Sequence, residues 1–125
     1  MSSYVIGAGC SRGCPSAELL ELVQHVLGEA GATPGQVRAL ATIDTRANEP
    51  ALVEVAEAMQ WPLETHPADK LGAVDVPTPS SVVALHTGTA SVAEAASLLS
   101  AGNGRMVVTK QRSAHATCAL AEVVG

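Results

Sequence analysis

Residues 4–30 carry the pattern that most constrains the fold: a short apolar run, a glycine-punctuated loop and an amphipathic helix. The run at 4–9 predicts a buried strand, and Pro15 is a favoured first-turn residue for the helix. Apolar residues recur there at helical spacing and predict one buried stripe, made of Leu19, Leu22, Val23, Val26, Leu27 and Ala30. In α/β proteins such a unit commonly holds an anion, because loop N–H groups and the helix N-terminus attract negative charge.

The remaining chain continues this alternation of strands and helices. A mostly apolar run at 37–44 predicts a second buried strand, and residues 48–50 open a second helix that Pro62 stops. We expect a short strand at 62–65, a helical turn at 67–72 and a helix at 79–86. A capping box at 91–94 opens a further helix, which buries Val92, Ala95, Ala96 and Leu99 and closes at Gly102.

The C-terminal residues predict two strands, at 105–110 and 115–123, joined by a loop at 110–113. A connection this short favours an antiparallel hairpin. The predicted fold is therefore α/β: a single three-layer α/β/α domain over residues 1–125. Its sheet is mixed, mostly parallel, of about five strands, and ends in the antiparallel hairpin.

Composition excludes several classes of function. Aromatic residues make up 2% of the 125 residues and the net charge is −5, so the chain lacks the stacking platform and the basic face of a nucleic-acid binder. It also lacks a run of the roughly 20 apolar residues that span a membrane. No signal peptide is recognisable, and three cysteines without a disulfide pattern suit a reducing cytoplasm, where we expect the protein.

Two loops are candidate anion sites. The first contains Gly9, Cys10, Ser11, Arg12 and Gly13, and its alternative interpretation is a tight strand-to-helix turn. The second contains Gly88, Thr89 and Ser91, and its alternative is an ordinary helix cap. Basic residues around the hairpin tip either meet a ligand or are solvated; they are Lys110, Arg112 and His115.

Asp44 ends the second predicted strand, at the strand end where ligand crevices form in α/β sheets. Together with Glu49 it offers a carboxylate pair for acid–base chemistry, but Asp44 or Asn48 could instead cap the next helix. Cys10 near a helix start could have a lowered thiol pKa and act as a nucleophile with His115 as base. The spacing of cysteines and histidines predicts neither a metal site nor a cofactor.

Four motifs together resemble a known family over nearly the whole chain. They are Gly7 to Gly13, then Ile43-Asp44 with Glu49-Pro50 and Leu52, then Gly88 to Ala96, and finally Lys110-Gln111 with Thr117 and Ala119. Their order and spacing resemble the CobE family, which is similar to the C-terminal domain of CbiG in cobalamin (vitamin B12) biosynthesis.

The resemblance implies a role in corrin ring synthesis. CbiG proteins open a ring lactone on a cobalt-precorrin-5 intermediate. The ligand implied is a precorrin or related corrinoid, with other corrin-pathway enzymes as further partners. Precorrins are apolar macrocycles ringed by acetate and propionate groups, which suits the two loops with Arg12 and Lys110 as cationic partners.

The leading hypothesis is a cobalamin-biosynthesis protein that binds or acts on a precorrin intermediate. If it is an enzyme, it is a hydrolase of a precorrin-5-type lactone, with Asp44 or Glu49 activating water and Lys110 or loop N–H groups stabilising the oxyanion. The alternative is a non-catalytic tetrapyrrole carrier or partner protein. A third hypothesis, from the loops alone, is an anion-binding module unrelated to corrins.

Overall fold

The computed structural model describes residues 2–74, 76 and 92–123. Five strands form one sheet in the order β3-β2-β1-β5-β4, with bounds β1 Tyr4–Cys10, β2 Val37–Ile43, β3 Leu63–His66, β4 Arg105–Arg112 and β5 Ala116–Glu122. β2 pairs in parallel with both β1 and β3, whereas β5 is antiparallel to β1 and β4. The predicted class, an α/β fold with a mixed sheet that ends in a hairpin, is confirmed.

Helices cover both faces of the sheet. Helix α1 (Ser16–Ala30) and helix α2 (Pro50–Met59) pack on one face, where Ile6, Leu40 and Leu120 lie in the core. The short helix α3 (Ala68–Gly72) and helix α4 (Val92–Ser100) pack on the other face, against Val5 and Ala121. Because neighbouring residues of β1 and β5 point into different layers, both strands are apolar on both faces.

The helix boundaries follow the sequence signals only in part. Gly31 ends α1 in the left-handed conformation (φ 65°), as predicted. At α2, the expectation that Asp44 or Asn48 provides the cap is wrong. Glu49 occupies the N-cap position, without a side-chain cap hydrogen bond, and Pro50 is the first helical residue. The helix ends at Gln60 in the left-handed conformation, just before Pro62.

Helix α4 lies directly on the backbone of β1. A Cβ atom added at Gly7 would be 1.8 Å from the carbonyl oxygen of Ala93 and 2.8 Å from the amide nitrogen of Ser97. The predicted stripe of this helix is correct for three of its four members, but Leu99 is only half-buried. Contact with the sheet is so close that two polar residues, Glu94 and Ser97, are also fully buried.

The hairpin turn lies further along the chain than the charged residues suggested. β4 continues to Arg112, and the turn comprises residues 113–115 rather than 110–113. Gln111 and Arg112 are held in the strand because they pair with Cys118 and Thr117 of β5.

The single tryptophan lies at the end of the sheet where the parallel strands begin. Trp61 is buried, and its indole N–H donates a hydrogen bond to the carbonyl oxygen of Pro34 at 3.1 Å. Since Pro34 precedes β2 and Trp61 precedes β3, this contact joins the two chain segments that enter the sheet.

Some predictions fall on residues outside those described: the helix at 79–86, the second glycine loop with Gly88 and Thr89, and the capping role of Ser91. The expected helical turn at 67–72 and the short third strand are confirmed as α3 and β3.

Candidate functional site

The first glycine loop and the hairpin turn meet at one edge of the sheet. β1, β2 and β3 are parallel and end at this edge, and the β4–β5 turn reaches it because β5 runs against β1. The backbone N–H of Ser11 donates to the carbonyl oxygen of His115 at 2.9 Å, and the Ser11 hydroxyl donates to the same oxygen at 3.2 Å. Residues more than 100 positions apart thus form one surface.

A tight turn shapes the glycine loop. The N–H of Cys14 donates to the carbonyl oxygen of Ser11 at 3.1 Å, which places Arg12 and Gly13 at the tip. Gly13 has φ 79°, a conformation that residues with a side chain rarely adopt. Arg12 is exposed and forms no ion pair with any residue that the structure describes.

Glu49 is hydrogen-bonded to the tip of this loop. The residue is only 8% exposed, and its Oε2 accepts a hydrogen bond from the N–H of Gly13 at 3.1 Å. The Glu49 carboxylate, which was predicted as an acid or base, is therefore engaged in a hydrogen bond that positions the loop. Asp44, by contrast, is exposed in a short 3-10 turn that follows β2.

Glu18 anchors the hairpin turn to helix α1. Its carboxylate accepts hydrogen bonds from the Ser113 hydroxyl, from the His115 N–H at 2.6 Å, and contacts His115 Nδ1 at 2.9 Å. These hydrogen bonds lower the pKa of Glu18 to about 2, and the bond from Ser113 contributes most, followed by those from His115. The sequence carried no signal of this contact, since the partners are up to 97 residues apart.

The cysteines are not activated. Burial is the main cause that raises the pKa of Cys10 far above its ordinary value, and the adjacent Cys14 thiol raises it further. Burial also raises the pKa of Cys14, and that of Cys118 to about 12. The expectation of a lowered Cys10 pKa is wrong, because the thiol is enclosed by the core instead of facing a helix N-terminus.

A small cavity of about 110 Å³ opens where the loop meets the turn. Its walls include Gly9 and Ser11 from the loop side, Arg112 and His115 from the hairpin, and Thr117 from β5. Thr117 is 7% exposed, and its hydroxyl has no hydrogen-bond partner among the described residues. Thr117 is not among the site residues predicted from the sequence.

Lys110 lies apart from this cavity. Its backbone N–H donates to Oε2 of the buried Glu94 at 2.8 Å, which ties β4 to helix α4. The structure thus brings together Gly9, Ser11, Arg12 and Gly13 with Glu49, whereas neither Asp44 nor Lys110 lines the cavity beneath the turn.

Within the described ranges, no group of three or more His, Cys, Asp or Glu side chains is placed to hold a metal ion. No helix in these same ranges is long and apolar enough to cross a membrane.

Taken together, the mixed five-stranded sheet and the loop-and-turn edge define a small α/β domain of the kind found at the C-terminus of CbiG proteins. Residues 4–121 match the family model described as cobalamin synthesis G C-terminus, and the chain belongs to this family. It is a cobalamin biosynthesis protein of the CobE and CbiG C-terminal type, as its motifs suggested.

Three relatives illustrate the similarity. Protein CobE of Sinorhizobium sp is 40% identical over 123 residues, which cover 96% of this chain and 80% of that protein. A crystal structure of CobE, from the cobalamin biosynthetic pathway, superposes with a TM-score of 0.86 at 35% identity, covering 98% of this chain and 92% of that one. The cobalt-precorrin-5A hydrolase of Priestia megaterium is 31% identical over 116 residues, but these cover 93% of this chain and only 31% of that enzyme.

Proposed function

We propose that this protein binds a precorrin intermediate of corrin ring synthesis through its peripheral carboxylates, at the edge formed by the glycine loop and the hairpin turn. The observation that carries the proposal is the position of Arg12 and Arg112, two exposed arginines on joined segments of one edge. In a chain with a net charge of −5, such local positive charge favours an anionic ligand at this place.

The neighbouring carboxylates do not cancel these charges by pairing with them. Glu49 accepts from the backbone of Gly13, and Glu18 is occupied by Ser113 and His115. An arginine guanidinium can bind a carboxylate through two parallel hydrogen bonds, which suits the acetate and propionate groups of a precorrin.

Other predicted residues extend the proposed site. Ser11 belongs to the first loop and follows Cys10, the last residue of β1. The second anion loop of the proposal, with Gly88, Thr89 and Ser91, lies outside the described residues. Lys110, on β4 and apart from the cavity, is a further cationic partner in the proposal.

Hydrolysis of a precorrin-5-type lactone is a second candidate function, favoured by the similarity to the cobalt-precorrin-5A hydrolase. In this version Asp44 takes a proton from water, the hydroxide oxygen bonds to the lactone carbonyl carbon, and the ring C–O bond breaks. Asp44 then gives that proton to the leaving alkoxide, which yields a hydroxy acid and returns Asp44 to the carboxylate form. Loop N–H groups or Lys110 stabilise the oxyanion, and Glu49 keeps the loop in position.

The rival of both is a carrier that passes an unstable intermediate to a partner enzyme of the pathway. A carrier needs the binding site but not the Asp44 base. The hydrolase and the carrier are therefore distinguished by turnover, and both require ligand binding at the same edge.

The first test is a visible-absorbance titration of the protein with hydrogenobyrinic acid, a metal-free corrinoid, followed by gel filtration to detect co-elution. We expect saturable binding that weakens with salt and weakens about tenfold in Arg12→Ala, since a charge-assisted hydrogen bond is lost. The matched control is Arg38→Ala on β2, which removes another exposed positive charge away from the site. Absence of saturable binding in the wild type, or equal losses in both variants, would refute the proposal.

The second test separates enzyme from carrier with Asp44→Asn and Glu49→Gln. Loss of lactone opening in Asp44→Asn with corrinoid binding retained supports the hydrolase. Full pathway flux in both variants removes these carboxylates from the chemistry and supports the carrier.

A further inference from the structure

Two buried threonines of the sheet differ in one respect. The hydroxyl of Thr42 on β2 donates a hydrogen bond to the carbonyl oxygen of Ala8 at 2.8 Å. The hydroxyl of Thr117 on β5 is also buried, yet it has no partner among the described residues. Buried polar groups in folded proteins are nearly always hydrogen-bonded, so an orphaned hydroxyl that borders a cavity needs a partner from outside the described residues, and a ligand in the cavity can supply it.

The register of the sheet shows what surrounds this hydroxyl. Thr117 pairs with Gly9 of β1 on one side and with Arg112 of β4 on the other. Directly paired residues project from the same face, so the three form one row across the sheet. Gly9 contributes no side chain, and all three residues line the cavity under the hairpin turn.

The row provides hydrogen-bond donors and positive charge. Arg112 is exposed and has no ion pair with any described residue, so its guanidinium is available to a ligand. The acidic group near the turn, Glu18, belongs to α1, which packs on the opposite face of β5. Its oxygens already accept from Ser113 and His115.

The size of the cavity limits the occupant to a small group. Pockets that hold whole small molecules usually measure roughly 300–1,000 Å³. At about 110 Å³, this cavity admits one side group of a macrocycle and excludes the ring.

We infer that the cavity under the hairpin turn is a subsite for one carboxylate of the bound corrin intermediate, with the Thr117 hydroxyl and the Arg112 guanidinium as its donors. The identity of the ligand rests on the proposed function, whereas the preference of the cavity for a carboxylate rests on Thr117 and Arg112. The subsite fixes how the macrocycle is oriented, because it accepts one peripheral group and leaves the ring outside.

The cavity is tested first without any corrinoid. Acetate is titrated into ¹⁵N-labelled protein, and the backbone amide signals of Gly9, Arg112 and Thr117 are followed, with neutral acetamide as the ligand control. We expect saturable shifts with acetate alone. Thr117→Val should weaken acetate binding about tenfold, and Thr117→Ser, which keeps the hydroxyl, should restore it.

Charge is tested in the same way. Arg112→Gln should also weaken acetate binding about tenfold, whereas Arg38→Gln should leave it unchanged. Equal responses to acetate and acetamide, or undiminished binding in Thr117→Val and Arg112→Gln, would overturn the carboxylate subsite.

Hydrogenobyrinic acid then tests the link to corrin chemistry. The inference predicts that Thr117→Val weakens corrinoid binding about tenfold and that acetate competes with the corrinoid. If the variants lose acetate binding while corrinoid affinity is unchanged, the cavity accepts free carboxylates only and the subsite assignment fails. If the wild type does not bind the corrinoid at all, the proposed function fails, and the acetate titration still decides whether the cavity binds carboxylate.

Discussion

Replacing Gly7 by alanine tests how closely helix α4 rests on the sheet. The added Cβ would lie 1.8 Å from the carbonyl oxygen of Ala93, 2.9 Å from its carbonyl carbon and 2.8 Å from the amide nitrogen of Ser97. All three atoms belong to the helix backbone, so no side-chain rotation can relieve the clash.

The geometry gives the size of the effect. Ordinary contact begins near 3.4 Å, so the helix must move away from β1 by about 1.5 Å. Such a movement opens the packing of Val92, Ala95 and Ala96 against the sheet and strains the bond between Glu94 and Lys110. We expect Gly7→Ala to lower the free energy of unfolding by about 3 kcal/mol or more, at the upper end of overpacking effects. That is a large part of the roughly 5–15 kcal/mol that stabilises a typical domain.

Urea denaturation followed by circular dichroism measures the difference. The matched control is Gly28→Ala in α1, where an added Cβ meets nothing within 4 Å. There the substitution should stabilise the protein by roughly 0.4–1 kcal/mol, because it restricts the unfolded chain. If the free energies of unfolding of Gly7→Ala and the wild type differ by less than about 0.5 kcal/mol, the close approach of α4 to β1 is wrong.

Three further predictions concern the site. Without ligand, Thr42→Val should lower the free energy of unfolding by about 1 kcal/mol, whereas Thr117→Val should leave it unchanged or raise it, which chemical denaturation would show. Because folding lowers the pKa of Glu18 from 4.5 to about 2, its contribution to stability is complete above pH 4.5 and is lost as the pH falls towards 2; the urea midpoints of wild type and Glu18→Gln should therefore converge in acid, and a constant difference would contradict this. Iodoacetamide at pH 8 should label Cys10 and Cys118 about a hundredfold more slowly in the folded protein than in urea, and rapid labelling of the folded state would restore Cys10 as a nucleophile candidate.

Sequence reasoning succeeded where the determining signal is local. The buried stripe of α1 from Leu19 to Leu27, its end at Gly31 and the buried pattern of β1 are properties of short windows, and each was found. Ala30, the last predicted member of the stripe, is only half-buried. The glycine loop was also located, because glycines between a strand and a helix start indicate a turn wherever they occur.

Prediction from the sequence failed where a contact with a residue far away in the chain determines the local structure. The charged residues at 110–113 resemble a turn, but pairing with Cys118 and Thr117 keeps Gln111 and Arg112 in the strand. The side chain of Glu49 is held by the N–H of Gly13, which is 36 residues away. Such contacts exist only after the sheet has formed, so no local pattern could reveal them.

The same limit explains why Thr117 was missed. In the sequence it is one more β-branched residue of a strand, and its distinguishing property is a hydroxyl without a partner. Only the register, which places it between Gly9 and Arg112, shows that it lies beside the cavity under the hairpin turn.

Trp61 has a practical consequence for all of these experiments. It is the only tryptophan in a chain that has one tyrosine and no phenylalanine, so it dominates the intrinsic fluorescence. Its indole is enclosed at the end of the sheet where the parallel strands begin, whereas the glycine loop and hairpin turn lie at the opposite end. The emission of this residue therefore reports unfolding rather than direct ligand contact. Optical signals of the corrinoid itself are the appropriate measure of occupancy, and the two can be recorded on one sample at separate wavelengths.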